Sequence, residues 1–362
     1  MNALEKAARG AAKYAYAFNQ GKARVVLDPI YSAVAARLVP DATPLHPKLL
    51  AMEFPPNLFL DYRAHNRKLS YFIEDWDFTQ ADPTLLTPRQ RQMVHTVALG
   101  ETSGAAVADG FLRAFRTNPE LASFFGTWFT EELNHFMGFH LYLGRMEQTW
   151  PARRGYEVAS TEFEPYSKDP LEMCACNMYQ ELVAFLVYRS FAKQAKDPFL
   201  AKMVGQFAKD ELRHYKFYQQ VIARHLQKEP GFRKRVLMQV LKATTPYNQV
   251  SGSKRNVLDH LELGAFYFRK SEFEFFTREL EVLMGKSMVP VFDAFFRGVN
   301  DPCTFCRQEL HQCDCAHFED GQPPQTRNPE WWQQVSKASA GAPNVDVAGW
   351  SKQLTRDRAE LN

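Results

Sequence analysis

Apolar residues recur at helical spacing through most of the chain between residues 87 and 228, and strand-like alternation is nearly absent. Proline and polar turns mark the breaks. A first long helix is predicted from about Thr87 through "LTPRQRQMVHTVALGETSGAAVADGFLRAF", with its proline in the first turn, where a missing donor does no harm. A second opens with Thr117 or Asn118 as cap and Pro119 at the first helical position. The third is predicted from about Leu171 to Ala195, and Asp197-Pro198 opens the fourth. Amphipathic segments near 231–243, 255–269 and 272–286 are expected to pack outside these four. Proline-rich patches in 1–86 indicate helices broken by loops, and Pro, Gly, Ser and Asn in the tail indicate extended or partly disordered chain. The expected organisation is N-terminal helices and loops over 1–86, a helical bundle with flanking helices over 87–295, a Cys-rich segment over 296–320, and a tail over 321–362.

The predicted second helix carries a polar island, "EELNH", inside "FFGTWFTEELNHFMGFHLYLG". Its Glu132-x-x-His135 recurs as Glu211-x-x-His214 in "FAKDELRHYKF". A lone Glu-x-x-His is expected by chance in a chain with 10 histidines, so its surroundings decide. Glu101 lies 31 residues before Glu132, and Glu181 lies 30 before Glu211, which is one helix out, a turn and one helix back. Positions i and i+3 share a helix face, so each Glu/His pair can address one point. The same-face neighbours are apolar: Val97, Ala98 and Ala105 for Glu101, Trp128, Phe129 and Phe136 for Glu132, Met178 and Phe185 for Glu181, and Phe207 and Ala208 for Glu211. Carboxylates pointing into such a core would cost several kcal/mol each unless compensated, and four together would repel. Two divalent cations remove both problems. Four carboxylates and two imidazoles suit iron or manganese with positions open for dioxygen, and they form the ligand set of ferritin-like carboxylate bundles. The expected fold is therefore all-α, a ferritin-like four-helix bundle with additional packed helices.

Over about residues 70 to 230 the chain resembles the soluble acyl-carrier-protein desaturases. The resemblance is strongest in "WFTEELNHFMGFHLYL" and in "YQELVAFLVYRSFAKQAKDPFLAKMVGQFAKDELRHYKFY". It implies a di-iron centre held by Glu101, Glu132, His135, Glu181, Glu211 and His214, a homodimer, an acyl carrier protein bearing a fatty acyl substrate, and a ferredoxin-type electron donor. It further implies that Asp210 orients a ligating histidine and helps deliver electrons, with Trp76 at the surface end of that route. A manganese/iron pair is an alternative metal content. This chain departs from the family pattern at Ala184, where the family commonly has threonine near the oxygen-binding side. Hydroxylation or N-oxygenation of a carrier-bound or small-molecule substrate is the alternative enzymatic reading, and a metal-storage or scaffolding bundle the non-enzymatic one. Phe139 stands where ribonucleotide reductase small subunits place a radical tyrosine, and His95 and His140 are in the wrong helical phase for a seventh ligand.

The net charge of +3, with 44 basic residues mixed among 41 acidic ones, gives no basis for nucleic-acid binding. No segment has the roughly 18–20 consecutive apolar residues of a membrane span, and the N-terminus lacks a secretory apolar core, so a cytoplasmic protein is expected. Candidate basic patches for an acidic partner are Arg233-Lys234-Arg235 and the lysines Lys193, Lys196 and Lys202. The six cysteines are not dispersed as in a disulfide framework. Cys174 and Cys176 fall about 200° apart on a helix and are read as core. Cys303, Cys306, Cys313 and Cys315, in "CTFCRQELHQCDCAH", bring four thiols within 13 residues and form a candidate zinc site.

Overall fold

The computed structural model of the chain describes residues 32, 35–101, 104–146, 150–151, 167, 169–244, 270–293, 306–309, 312–313 and 344–345. Its helices follow the apolar periodicity: α1 (Pro47–Leu50), α2 (Leu58–Asn66), α3 (Pro88–Glu101), α4 (Gly104–Phe115), α5 (Pro119–Arg145), α6 (Pro170–Gln194), α7 (Pro198–Lys228), α8 (Arg233–Thr244) and α9 (Lys270–Met284). The protein is all-α; among the described residues the only strands are β1 (Trp150–Pro151) and β2 (Asn344–Val345), paired antiparallel. The first predicted helix corresponds to α3 and α4, with residues 102 and 103 outside the described set. The segment 255–269 and most of the tail also lie outside it.

The chain groups into two compact units, and the division runs through α6 and α7. One unit takes in Tyr62–Glu164, Tyr188–Asp210 and Glu330–Asn362. There α5 packs on α3, on α4 and on the tight turns at Ile73–Asp75 and Phe78–Gln80. Asn118 starts α5 as expected, its side chain accepting the Leu121 N–H at 3.2 Å with Pro119 directly following. The rings of Phe111, Phe115 and Phe125 stack with centroids 4.5 to 5.7 Å apart and anchor α4 on α5. Midway along α5, a Cβ on Gly138 would come within 2.6 Å of Phe207 Cζ and 3.1 Å of Ile73 Cγ1. Gly138→Ala is expected to cost about 1–3 kcal/mol by overpacking, measurable as a lower midpoint in urea.

The other unit takes in Met1–Asp61, Pro165–Val187 and Glu211–Pro329, with α9 packed on α1 and α8. Its organising residue is Arg233, 2% exposed, whose guanidinium donates to the carbonyls of Thr43 (2.6 Å), Pro44 (3.1 Å), Pro230 (2.9 Å) and Met284 (3.3 Å). Gly285 ends α9 at φ 75°, and a Cβ there would meet the Pro44 carbonyl oxygen at 2.1 Å, so this position requires glycine. Tyr215 and Lys216 of α7 both donate to Glu279 of α9, at 2.7 and 2.8 Å.

Candidate metal centre

Each polar residue of "EELNH" on α5 has a separate task. Glu131 accepts from the Tyr62 hydroxyl at 2.7 Å, pinning α2. Asn134 accepts from the Ile73 N–H at 3.0 Å and donates to the Tyr71 carbonyl at 3.3 Å, fixing the loop that carries Tyr71 and Trp76. Glu132 and His135, one turn apart on the remaining face, bring Oε2 and Nδ1 within 3.4 Å of each other. The other ring nitrogen of His135, Nε2, lies 3.2 Å from Asp210 Oδ2. A proton held on Nε2 by that carboxylate leaves Nδ1 as a lone-pair donor facing Glu132, the arrangement that orients a metal-ligating imidazole. Glu101, at the end of α3 and only half-buried, accepts from the Tyr188 hydroxyl of α6. Phe207 closes one side of the imidazole with ring centroids 4.5 Å apart.

The second pair repeats this geometry. His214 Nδ1 lies 3.4 Å from Glu181 Oε2 and 3.4 Å from Glu211 Oε2, and all three side chains are buried. Burial, and next the charge of Glu211, push the Glu181 carboxyl well above the usual carboxylate range. A carboxyl raised in this way by burial and by a neighbouring carboxylate is poorly placed for stability in the absence of a cation and well placed to bind one.

Ligand atoms meet in two sets of four, each within a mutual 4.8 Å: Glu101, Glu132, His135 and Glu211, and Glu132, Glu181, Glu211 and His214. Around one ion with bonds of about 2.1 Å, opposite ligands stand about 4.2 Å apart, so adjustments of a few tenths of an ångström per side chain would close either set. The donor set therefore fits divalent metal: carboxylate and imidazole ligands, buried, with an outer carboxylate on one histidine. This buried Glu/His cluster could hold a metal ion.

The remaining sequence-derived candidates fall as follows. Asp210 is buried against His135, and it also accepts from the Tyr71 hydroxyl at 2.7 Å and the Gln206 amide at 3.2 Å. Trp76 is half-buried, its ring 5.9 Å from Tyr71 and 6.0 Å from Phe199, with Lys202 Nζ 4.7 Å above it. Tyr71 was not legible as a site residue, because it lies in a loop where no helical spacing ties it to the Glu/His pairs. Nor was Tyr188, whose phenol reads as one more aromatic of an apolar helix. Cys174 and Cys176 are buried core, as expected. Cys306 and Cys313 are described, while Cys303 and Cys315 lie outside the described residues. The patch Arg233-Lys234-Arg235 is not a free basic face. Arg233 is buried on carbonyls, Lys234 pairs with Asp41 at 2.7 Å, and Arg235 pairs with Glu172 at 2.7 Å and with Asp169.

His140 belongs to neither ligand set; it is buried with its ring 4.1 Å from Phe136. Burial holds its pKa down, at about 4 against an ordinary 6.5. Below pH 6.5 the unfolded chain takes up a proton that the folded one refuses, so this stability is present above pH 6.5 and is lost as pH falls towards 4. His140→Phe is expected to flatten that acid limb by up to about 3 kcal/mol, read from urea midpoints between pH 7 and 4.

Residues 120–263, less than half of the chain, match a family model described as fatty acid desaturase. The matched span carries Glu132, His135, Glu181, Glu211 and His214, and Glu101 precedes it. No curated protein matches the chain. The family match and the buried cluster together support a desaturase-type oxidoreductase. No helix among the described residues is long and apolar enough to cross a membrane.

Proposed function

We propose that the chain is an oxygen-dependent di-iron desaturase acting on an acyl chain presented by an acyl carrier protein. The observation that carries this reading is the pair of overlapping ligand sets within a span matched by a desaturase family. Glu132 and Glu211 occur in both sets, so they would contribute to holding either ion, with Glu101 and His135 completing one set and Glu181 and His214 the other. Two divalent charges balance the four carboxylates. When bound, reduced iron would supply the oxygen activation needed to remove hydrogen from an unactivated methylene, chemistry that no side chain provides. The protein's part is to hold both imidazoles with Nδ1 inward, to exclude water by burial, and to relay electrons and protons.

That relay is assigned to Trp76, Tyr71, Asp210 and His135, in that order from the half-exposed end. Trp76 and Tyr71 are in ring contact, and the Tyr71 hydroxyl shares Asp210 Oδ2 with His135. Lys193, Lys196 and Lys202 are exposed near the α6–α7 turn, with Lys202 on Trp76, which makes this end suitable for an acidic ferredoxin-type donor. Asp210→Asn is expected to slow donor-driven turnover roughly 10- to 100-fold, the usual cost of losing an outer-sphere partner of a ligating histidine. Tyr71→Phe is expected to slow anaerobic reduction of the centre about 10-fold while leaving iron content unchanged, as followed by stopped-flow absorbance. A homodimer in the cytoplasm is the setting in which this reading places the enzyme.

Mass spectrometry of an acyl-loaded carrier protein after reductant-driven turnover in air tests the reading. Loss of two hydrogens from the acyl chain is the expected result. Gain of one oxygen would instead make the chain a hydroxylase. Oxygen uptake tied only to added ferrous iron, with no change in any acyl substrate, would make it a metal-storing bundle.

A further inference from the structure

Of the six donor side chains in the Glu/His cluster, Glu101 is the one that is only half-buried, while the other five are buried. Those five also brace one another or rest on a neighbour: Glu132 on His135, His135 on Asp210, and Glu181 and Glu211 on His214. Glu101 comes from α3 without a histidine one turn away on its own helix. A half-exposed glutamate has several rotamers open to it, and each that points elsewhere lowers the fraction of chains ready to bind.

What meets Glu101 is Tyr188 of α6, whose hydroxyl donates to Glu101 Oε1. Tyr188 falls seven residues, nearly two helical turns, after Glu181 and so on the α6 face that carries that glutamate. Glu101, His135 and Tyr188 all belong to one compact unit. The phenol is 3% exposed, with its ring perpendicular to that of His135 at 6.2 Å between centroids and 5.9 and 6.4 Å from those of Phe139 and Phe207. A donor held this firmly sets the place and plane of the carboxylate it bonds. A carboxylate has about four lone-pair sites, so accepting one phenol leaves its charge and its remaining lone pairs for a cation.

Resting on the metal reading above, we infer that Tyr188 is the positioning residue for Glu101, and that it decides whether the ion held with His135 binds. The phenol touches the ligand and not the ion. Its loss leaves all six donors in the chain and changes only how often the Glu101 set is assembled. The other set, Glu132, Glu181, Glu211 and His214, contains neither residue and should keep its affinity.

Anaerobic equilibrium dialysis of the full-length, metal-free chain against ferrous iron tests this. The wild type is expected to bind two equivalents, and Tyr188→Phe to weaken one of them by about 10- to 100-fold and leave the other unchanged. At iron concentrations between the two affinities, Tyr188→Phe should, once oxidised in air, give the paramagnetic resonance of an isolated ferric ion, which a coupled pair suppresses. Glu101→Ala should weaken the same equivalent, and adding Tyr188→Phe to it should cost less than about a further twofold, because the phenol acts through Glu101. A purely structural role would lower the melting temperature without splitting the two affinities. Two unchanged equivalents in Tyr188→Phe, equal weakening of both, a full further loss in the Glu101→Ala background, or a Tyr188→Phe chain that does not fold would each overturn the assignment. So would a phenolate-to-iron absorption band that disappears in Tyr188→Phe, since Tyr188 would then be a ligand. A wild-type chain that binds no iron would sink the metal reading itself, and this assignment with it.

Discussion

Glu211→Gln is expected to weaken metal binding and lower turnover by more than about 100-fold, beyond the 10- to 100-fold typical of outer-sphere partners, because on the proposed reading Glu211 would be a direct donor in both groups that could hold a metal. Glutamine keeps the volume and removes the anion. The effect should be larger than for Glu181→Gln, since Glu181 occurs in one set only. The metal-free protein should show the opposite sign. Glu211 is buried beside Glu181 and raises its pKa, so removing the charge relieves a repulsion that the folded chain otherwise bears. Iron per chain, turnover and the melting temperature of the metal-free variant are the three measurements. A variant with full iron content, or one whose metal-free form melts well below the wild type, would show that Glu211 serves the fold rather than the metal.

Arg233→Ala is expected to cost about 3–5 kcal/mol, the range for removing one partner from a buried charged network. Four carbonyls, from Thr43, Pro44, Pro230 and Met284, lose their donor at once; the bond to Met284 is buried, where an acceptor left unmet costs about 1–3 kcal/mol before relaxation, and the other three are partly buried. Arg233→Lys should recover only a small part, because one ammonium cannot reach the carbonyls that a planar fork spans. Urea unfolding of the metal-free chain measures both. A loss under about 1 kcal/mol for Arg233→Ala would mean that water replaces the guanidinium and that this side chain does not hold the N-terminal segment and α9 together.

Much of the candidate site was readable because its residues obey helical spacing. Glu132 with His135, and Glu211 with His214, are i,i+3 pairs, and a helix places such a pair on one face wherever it packs. Their apolar neighbours indicated the inward direction, and the structure buries all four. Glu101 was also found by spacing but is only half-buried. The basic trio Arg233-Lys234-Arg235 shows where local reading fails. Three adjacent cations suggest a solvated face, yet most of the partners that claim them, from Asp41 and Thr43 to Met284, are distant in sequence and meet only after folding.

The sequence by itself determined the helices over 87–228 and the pairing of Glu132 with His135 and of Glu211 with His214 on one helix face each, since periodicity and i,i+3 geometry are local properties. Only the tertiary structure decided that Glu132 and Glu211 each fall in both groups that could hold a metal, that Tyr71 bridges Trp76 to Asp210, and that Arg233 is committed to the interior. Those facts depend on which distant segments come within a few ångströms of one another, and contact of that kind is set by packing of the whole core.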